Sequence, residues 1–192
     1  MDKMVNQRLI QAFQIKKCWL IQALAEQLGY SIPSVRRFLA KAGYFSSFTH
    51  NGRWYTLSSI PRFGKDGLWF HKEIGFSKNG SLTHTLVALI EKSPAGMTAD
   101  QLGKLLRCRC HAVLVQLCRK GQMQRQKHGR SYVYLSIAPD KAAAQTGMRQ
   151  NQSLSPLPAE LAVLVLVEFI RTSGAEPDYL AQTISQRIGM MI

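Results

Sequence analysis

Acidic residues are scarce in this chain: 11 Asp and Glu stand against 25 Lys and Arg, a formal charge of +14. The few carboxylates are too scattered for a two-metal centre. No phosphate-binding Gly-rich loop, His-Glu-x-x-His or Gly-x-Ser-x-Gly pattern occurs, so no catalytic activity and no cofactor are expected. Long apolar runs are missing as well. The longest, Leu161–Val167, is far short of the about 20 residues that span a bilayer, which excludes a membrane partner as an expectation. Met1–Arg8 carries both signs of charge, and the apolar residues after it are broken by Gln11, Gln14, Lys16 and Lys17, unlike a secretory leader. Cysteine is rare too. Cys18 lies far from Cys108, Cys110 and Cys118, which does not read as a secreted disulfide framework, and a reducing, cytoplasmic home is expected.

The basic charge that remains is concentrated. Residues 1–62 hold nine basic against two acidic residues, residues 81–137 again nine against two, and residues 138–192 four against five. Two equal positive blocks beside a near-neutral tail favour a polyanion as partner.

In the first block, Leu24 and Leu28 give a short apolar helical stripe that Gly29 can end, and Ser31 with Pro33 opens the next helix. There Val35, Phe38 and Leu39 face inward while Ser34, Arg36, Arg37 and Lys41 face out. Alternating Tyr44–Phe48 and Arg53–Leu57 flank an Asn51-Gly52 hairpin signal. Val5, Leu9, Ile10 and Phe13 predict a helix before this pair, and Trp19-Leu20-Ile21 reads as the entry to the second helix. Sliding the chain by 78 residues aligns Trp19–Ser58 with Met97–Ser136 without a gap: Leu24, Leu28, Val35, Leu39, Gly43, His50 and Leu57 meet Leu102, Leu106, Val113, Leu117, Gly121, His128 and Leu135. The helices and the hairpin are thus expected to recur in register. A Ser81-capped helix and a Thr98-capped helix lead the second copy; its outward helix runs over about Cys110–Lys120, with Leu114 and Leu117 inward, and its hairpin tip is Lys127-His128-Gly129-Arg130.

Helix, turn, helix and hairpin in this order resemble the winged helix-turn-helix DNA-binding family, in two tandem copies covering about two thirds of the chain. The fold expected is mainly α with small β-hairpin wings (α+β): tandem winged helix-turn-helix domains plus a C-terminal helix pair. The boundaries are 1–61 and 81–138 for the two domains, 62–80 for a structured connector, 139–157 for a linker or loosely held helix, and 158–192 for the helical pair. Leu180 and Ile184 lie another 78 residues after Leu102 and Leu106, so the tail resembles the start of a third copy without its last helix and wing. The aromatic connector, with Leu68-Trp69-Phe70 and Ile74-Gly75-Phe76, is expected as one or two short strands packed between the domains, and stacking on unpaired bases is the less favoured alternative.

The resemblance implies sequence-specific binding of double-stranded DNA, as a transcriptional regulator or an accessory factor of a mobile or defence element associated with the nucleoid. Ser34, Arg36, Arg37, Arg109, Ala112 and Gln116 are the candidates for base edges, and Lys41, Arg53, Arg107, Arg119, Lys120, Lys127, His128 and Arg130 for phosphates and wings. Structured RNA fits the charge equally well, and a protein-interaction scaffold is the third reading. Cys108, Cys110, His111 and Cys118 have the wrong spacing for a zinc knuckle and are expected to be ordinary thiols, with no metal site. The apolar residues Leu161, Val163, Leu164, Val165, Leu166, Val167, Phe169 and Ile170 suggest a homodimer through 158–192.

Overall fold

The computed structural model describes residues 3–153 and 159–171. The chain is mixed α+β, with small antiparallel sheets, and divides into two compact units, Met1–Arg149 and Gln150–Ile192. Within the first unit one order of elements occurs twice. The first copy is α1 (Lys3–Ile15), β1 (Trp19–Leu20), α2 (Ile21–Leu28), α3 (Ile32–Ala42), β2 (Tyr44–Ser46) and β3 (Trp54–Leu57). After a hairpin of β4 (Leu68–His71) and β5 (Ile74–Ser77), the second copy follows as α4 (Leu82–Lys92), β6 (Met97–Thr98), α5 (Ala99–Leu106), α6 (His111–Arg119), β7 (Gln124–His128) and β8 (Ser131–Leu135). The sheets have the same order, β1-β3-β2 and β6-β8-β7.

Helix boundaries follow local chemistry. Gly29 ends α2 at φ +73°, and its N–H donates to the carbonyls of Ala25 and Glu26. Thr98 and Gln101 close a reciprocal capping box at the start of α5, each accepting from the other's backbone N–H. Leu9, Leu24, Val35 and Leu39 are fully buried in the first core, as are Leu102, Leu106 and Leu114 in the second; each such side chain contributes about 1.5–3 kcal/mol of burial. Ile10, expected inward, is exposed instead, because Val5, Leu9 and Phe13 already fill the inner stripe of α1.

Three expectations need correction. Trp19–Leu20 do not enter the second helix: they form the third strand of the sheet, Trp19 opposite Tyr55 and Leu20 opposite Trp54, and Met97–Thr98 do the same in the second copy. A two-residue strand has too little alternation to be seen in sequence. The hairpins are not in register under the 78-residue shift. Tyr44 pairs with Leu57, whereas Leu135 pairs with Gln124 rather than with Gln122, the counterpart of Tyr44. In the second copy the extra two residues lie before β7, where Met123 is buried in its own core, and the tip shrinks to Gly129-Arg130. Residues 139–153, expected as a linker or loosely held helix, form a helix, α7 (Pro139–Ser153), that is firmly held. Its Gln145 is buried, donating through Nε2 to the carbonyls of Ile90 and Ser93, both at 2.8 Å, and accepting from the Ser136 N–H at 2.9 Å. Lys141 pairs with Glu91 at 2.9 Å. The contacts come from residues more than forty positions back in the chain, except for Ser136. In the second unit, α8 (Ala159–Arg171) forms as expected; the helix predicted after Pro177 lies outside the described residues.

The connector is structured, and it is the joint of the first unit. β5 attaches to the tip of the first hairpin through a Ser47–Phe76 bridge, a Phe48 N–H to Gly75 carbonyl bond of 2.9 Å and a Gly75 N–H to Thr49 Oγ1 bond of 2.9 Å. Phe48 thereby enters the core of the second copy with Leu68, while Phe76 and Ile74 bury against Cys18 on the first copy's sheet. Gly75 is where the joint is tightest: a Cβ there would stand 2.4 Å from Phe48 Cζ and 2.9 Å from Phe70 Cε1. Gly75→Ala is expected to destabilise the protein by about 1–3 kcal/mol through overpacking, read as a lower midpoint in urea unfolding. An unchanged midpoint would show that Phe48 is not held against this backbone.

Candidate nucleic-acid interface

The second copy presents one coherent basic face. On α6, Ala112, Gln116 and Arg119 recur at four and three residues and are exposed, opposite the buried Leu114 and Leu117; Arg109 is exposed just before the helix, and Lys120, also exposed, closes it. On the hairpin, Gln124–Lys127 and Gly129–Tyr132 are exposed and His128 is half-buried. Arg130 sits at the two-residue tip beside Gly129, whose φ is +58°. The Arg125 guanidinium lies 4.9 Å from the centre of the Tyr132 ring. Arg125 escaped the sequence reading, although it sits diagonally across from Tyr132 in the hairpin, a pairing that only the register reveals.

Between α5 and α6 an open groove of about 730 Å³ is lined by Lys104, Arg107, Arg109 and His111, with Asp100 as its one acid. Lys104 also escaped notice, since it lies on the helix before the turn. Arg107 holds the turn at φ +52°, where the first copy has Gly29. That conformation costs a residue with a Cβ about 1–2 kcal/mol, and the Arg107 guanidinium is placed 4.4 Å from the centre of the Phe70 ring of β4, a contact that offsets part of the cost. The corresponding groove of the first copy, about 420 Å³, is lined by Gln22, Glu26, Tyr30 and Ser31 and carries no basic side chain.

In the first copy, Arg36, Arg37 and Lys41 are exposed along α3. Ser34 is half-buried in a local network, accepting from Ser31 Oγ at 3.1 Å and from Arg37 Nη2 at 3.2 Å. The first hairpin tip turns through His50, Asn51 and Gly52, all with positive φ, and Arg53 leaves it exposed. Ser47–Thr49, just before the tip, dock on β5. Under the 78-residue shift Arg53 corresponds to Ser131, while Arg130 of the second tip has Gly52 as its counterpart.

The thiols are held protonated. Burial pushes Cys18 up to about 11, against a hydrogen bond to Thr56. Burial raises Cys108, Cys110 and Cys118 as well, with the neighbouring Cys108 adding to the rise at Cys110. Cys110 is buried, and its Sγ donates to the Ala99 carbonyl at 3.5 Å. Among the described residues no three His, Cys, Asp or Glu side chains are grouped to hold a metal ion, and no helix is long and apolar enough to cross a membrane. At about pH 8 the Cys18 thiolate should be roughly a hundredfold less populated than in an ordinary thiol. Iodoacetamide should therefore spare Cys18 in the folded protein and modify it in urea, as peptide mass mapping reads; prompt labelling of folded protein at Cys18 would contradict the burial. No protein-family model matches the chain, and no curated protein matches it in sequence.

Proposed function

We propose that the chain is a double-stranded DNA-binding protein built from tandem winged helix-turn-helix modules, acting as a transcriptional regulator or an accessory factor of a mobile or defence element. One observation carries the reading. Between Asp100 and Asp140 the sequence has no acidic residue, and α6, the turn before it and the β7–β8 hairpin set Arg107, Arg109, Arg119, Lys120, Arg125, Lys127 and Arg130, all exposed, around them. Such a face attracts phosphates, while Arg109, Ala112 and Gln116 supply the short and bidentate groups that read base edges. In the first module α3 offers Arg36 and Arg37 to bases and Lys41 to a phosphate. β5 holds only the Ser47–Thr49 side of the first wing, and Arg53 stays exposed there for a phosphate, while the more basic second wing takes the minor-groove or phosphate role.

With roughly 6–10 phosphates neutralised, log K should fall against log salt with a slope of about −5 to −9. Arg36→Ala or Arg37→Ala should relax preference at one base pair by about 1–3 kcal/mol, whereas Arg130→Ala should weaken all sequences alike and flatten the slope. Arg53→Ala should act in the same way as Arg130→Ala, by a smaller amount. Loss of duplex retention at low salt sinks the proposal. Competition by duplex RNA at equal strength would turn it toward structured RNA, whose narrow A-form major groove does not admit these helices.

The second unit supports association through residues 158–192. Val163, Leu166 and Val167 form one exposed apolar stripe on α8, and Phe169 is exposed beside it, a surface that a homodimer would bury. Removing residues 157–192 should convert a sedimenting dimer into a monomer that binds with reduced avidity. Full-length protein that sediments as a monomer at high micromolar concentration excludes the dimer.

A further inference from the structure

Two of the chain's three tryptophans, Trp54 and Trp69, lie at the joint between the first sheet and the β4–β5 hairpin. The third, Trp19, packs with Tyr55 on the core of the first copy and meets Trp54 through a lysine at the edge of the sheet. Trp54 and Trp69 pack on the same small core of Cys18, Ile74 and Phe76. Trp19 and Trp54 share one cation: Lys16 Nζ stands 4.9 Å from the centre of the first ring and 5.4 Å from the second. Lys16 is exposed and each tryptophan half-buried, so part of each tryptophan is accessible to solvent. Trp69 stacks on His71 at 5.9 Å with 19° between the rings. Burial, then Lys17 and Lys72, press His71 below its usual range, toward a neutral ring. Lys17 and Lys72 are themselves exposed, and Glu73 is the one acid carried by the segments that build the cluster.

We infer that this cluster of Trp19, Trp54, Trp69 and His71, ringed by Lys16, Lys17 and Lys72, is a second nucleic-acid surface that binds an unpaired stretch of a strand by stacking. None of these residues is among the side chains assigned to the duplex, so the inference goes beyond that reading and does not rest on it. The chemistry selects the ligand. Aromatic faces between ammonium groups match bases between phosphates, and stacking contributes about 1–3 kcal/mol per base whatever the sequence. A blunt duplex hides its base faces and offers nothing to a tryptophan. An acidic protein surface would satisfy the lysines and leave the half-exposed rings without a partner. A strand with splayed bases satisfies both.

Because the cluster contains every tryptophan, intrinsic fluorescence reports on it directly. Oligothymidylate of about 12 nucleotides should quench the tryptophan emission saturably, with a midpoint that rises with salt, while a blunt duplex of the same length leaves the emission unchanged. Lys16→Glu combined with Lys17→Glu, both at exposed positions, should weaken oligothymidylate binding by about tenfold or more. Anisotropy of a labelled duplex reads the groove-facing surface separately and should not change with this variant. Absence of quenching by oligothymidylate at low salt, equal quenching by the blunt duplex, or an unaltered midpoint in the double variant would each overturn the inference. Loss of labelled-duplex binding in the double variant, together with the expected loss of oligothymidylate binding, would count against the groove-facing helices and uphold the inference.

Discussion

The joint at Gly75 is the constraint on which the rest of the first unit depends. Its carbonyl accepts from the Phe48 N–H and its own N–H donates to Thr49 Oγ1, so one residue of the connector satisfies two polar groups of the hairpin loop. The bonds are short of decisive by themselves, about 1 kcal/mol net for each. Their consequence is larger, because they deliver Phe48 into the core of the second copy. The side chain lies edge-on to Phe70 at 5.9 Å, and Phe70 in turn carries the Arg107 guanidinium. A chain of packed groups thus runs from the tip of one hairpin to the turn of the next helix pair.

That joint makes two similar copies unequal. The first copy docks one side of its hairpin loop, Ser47–Thr49, on the connector and has a groove at its helical turn whose one charged residue is Glu26. The second retains an exposed two-residue tip, a groove lined by Lys104, Arg107 and Arg109, and the stacked Arg125–Tyr132 pair. The same joint brings Trp54 and Trp69 together, since Trp69 reaches the first sheet only when β4–β5 lies against it. An internal repeat therefore need not mean two equivalent binding surfaces. Charge counts that are equal in sequence are unequal in space, since one groove is lined by Lys104, Arg107 and Arg109 and the other by no basic side chain.

Much of the helical scaffold was legible from the chain itself. Leu24, Leu28, Val35 and Leu39 recur at helical spacing and are buried; Gly29 and Thr98 mark helix ends by local stereochemistry, and the outward positions of Arg36, Arg37, Lys41, Ala112 and Gln116 follow from the buried ones. These features depend on residues within a turn or two of one another, which periodicity records. The positive blocks and the repeat were equally visible, and so was the prospect that the aromatic connector orders itself.

What only the tertiary structure decided depends on partners distant in sequence. Trp19–Leu20 become a strand because β3 offers an edge 35 residues later, and Gln145 becomes a buried bridge because Ile90 and Ser93 leave carbonyls at the end of α4. Lys104 and Arg125 join the basic face through a groove and a cross-strand stack that local pattern cannot express. Most of all, Asn51-Gly52 signals a hairpin turn but not that Ser47–Thr49 before it dock on another strand. That was determined by a glycine 26 residues beyond Thr49, whose missing side chain lets Phe48 approach. Composition and periodicity determine which faces are apolar and which basic; close packing between segments far apart in the chain determines which of them remain exposed.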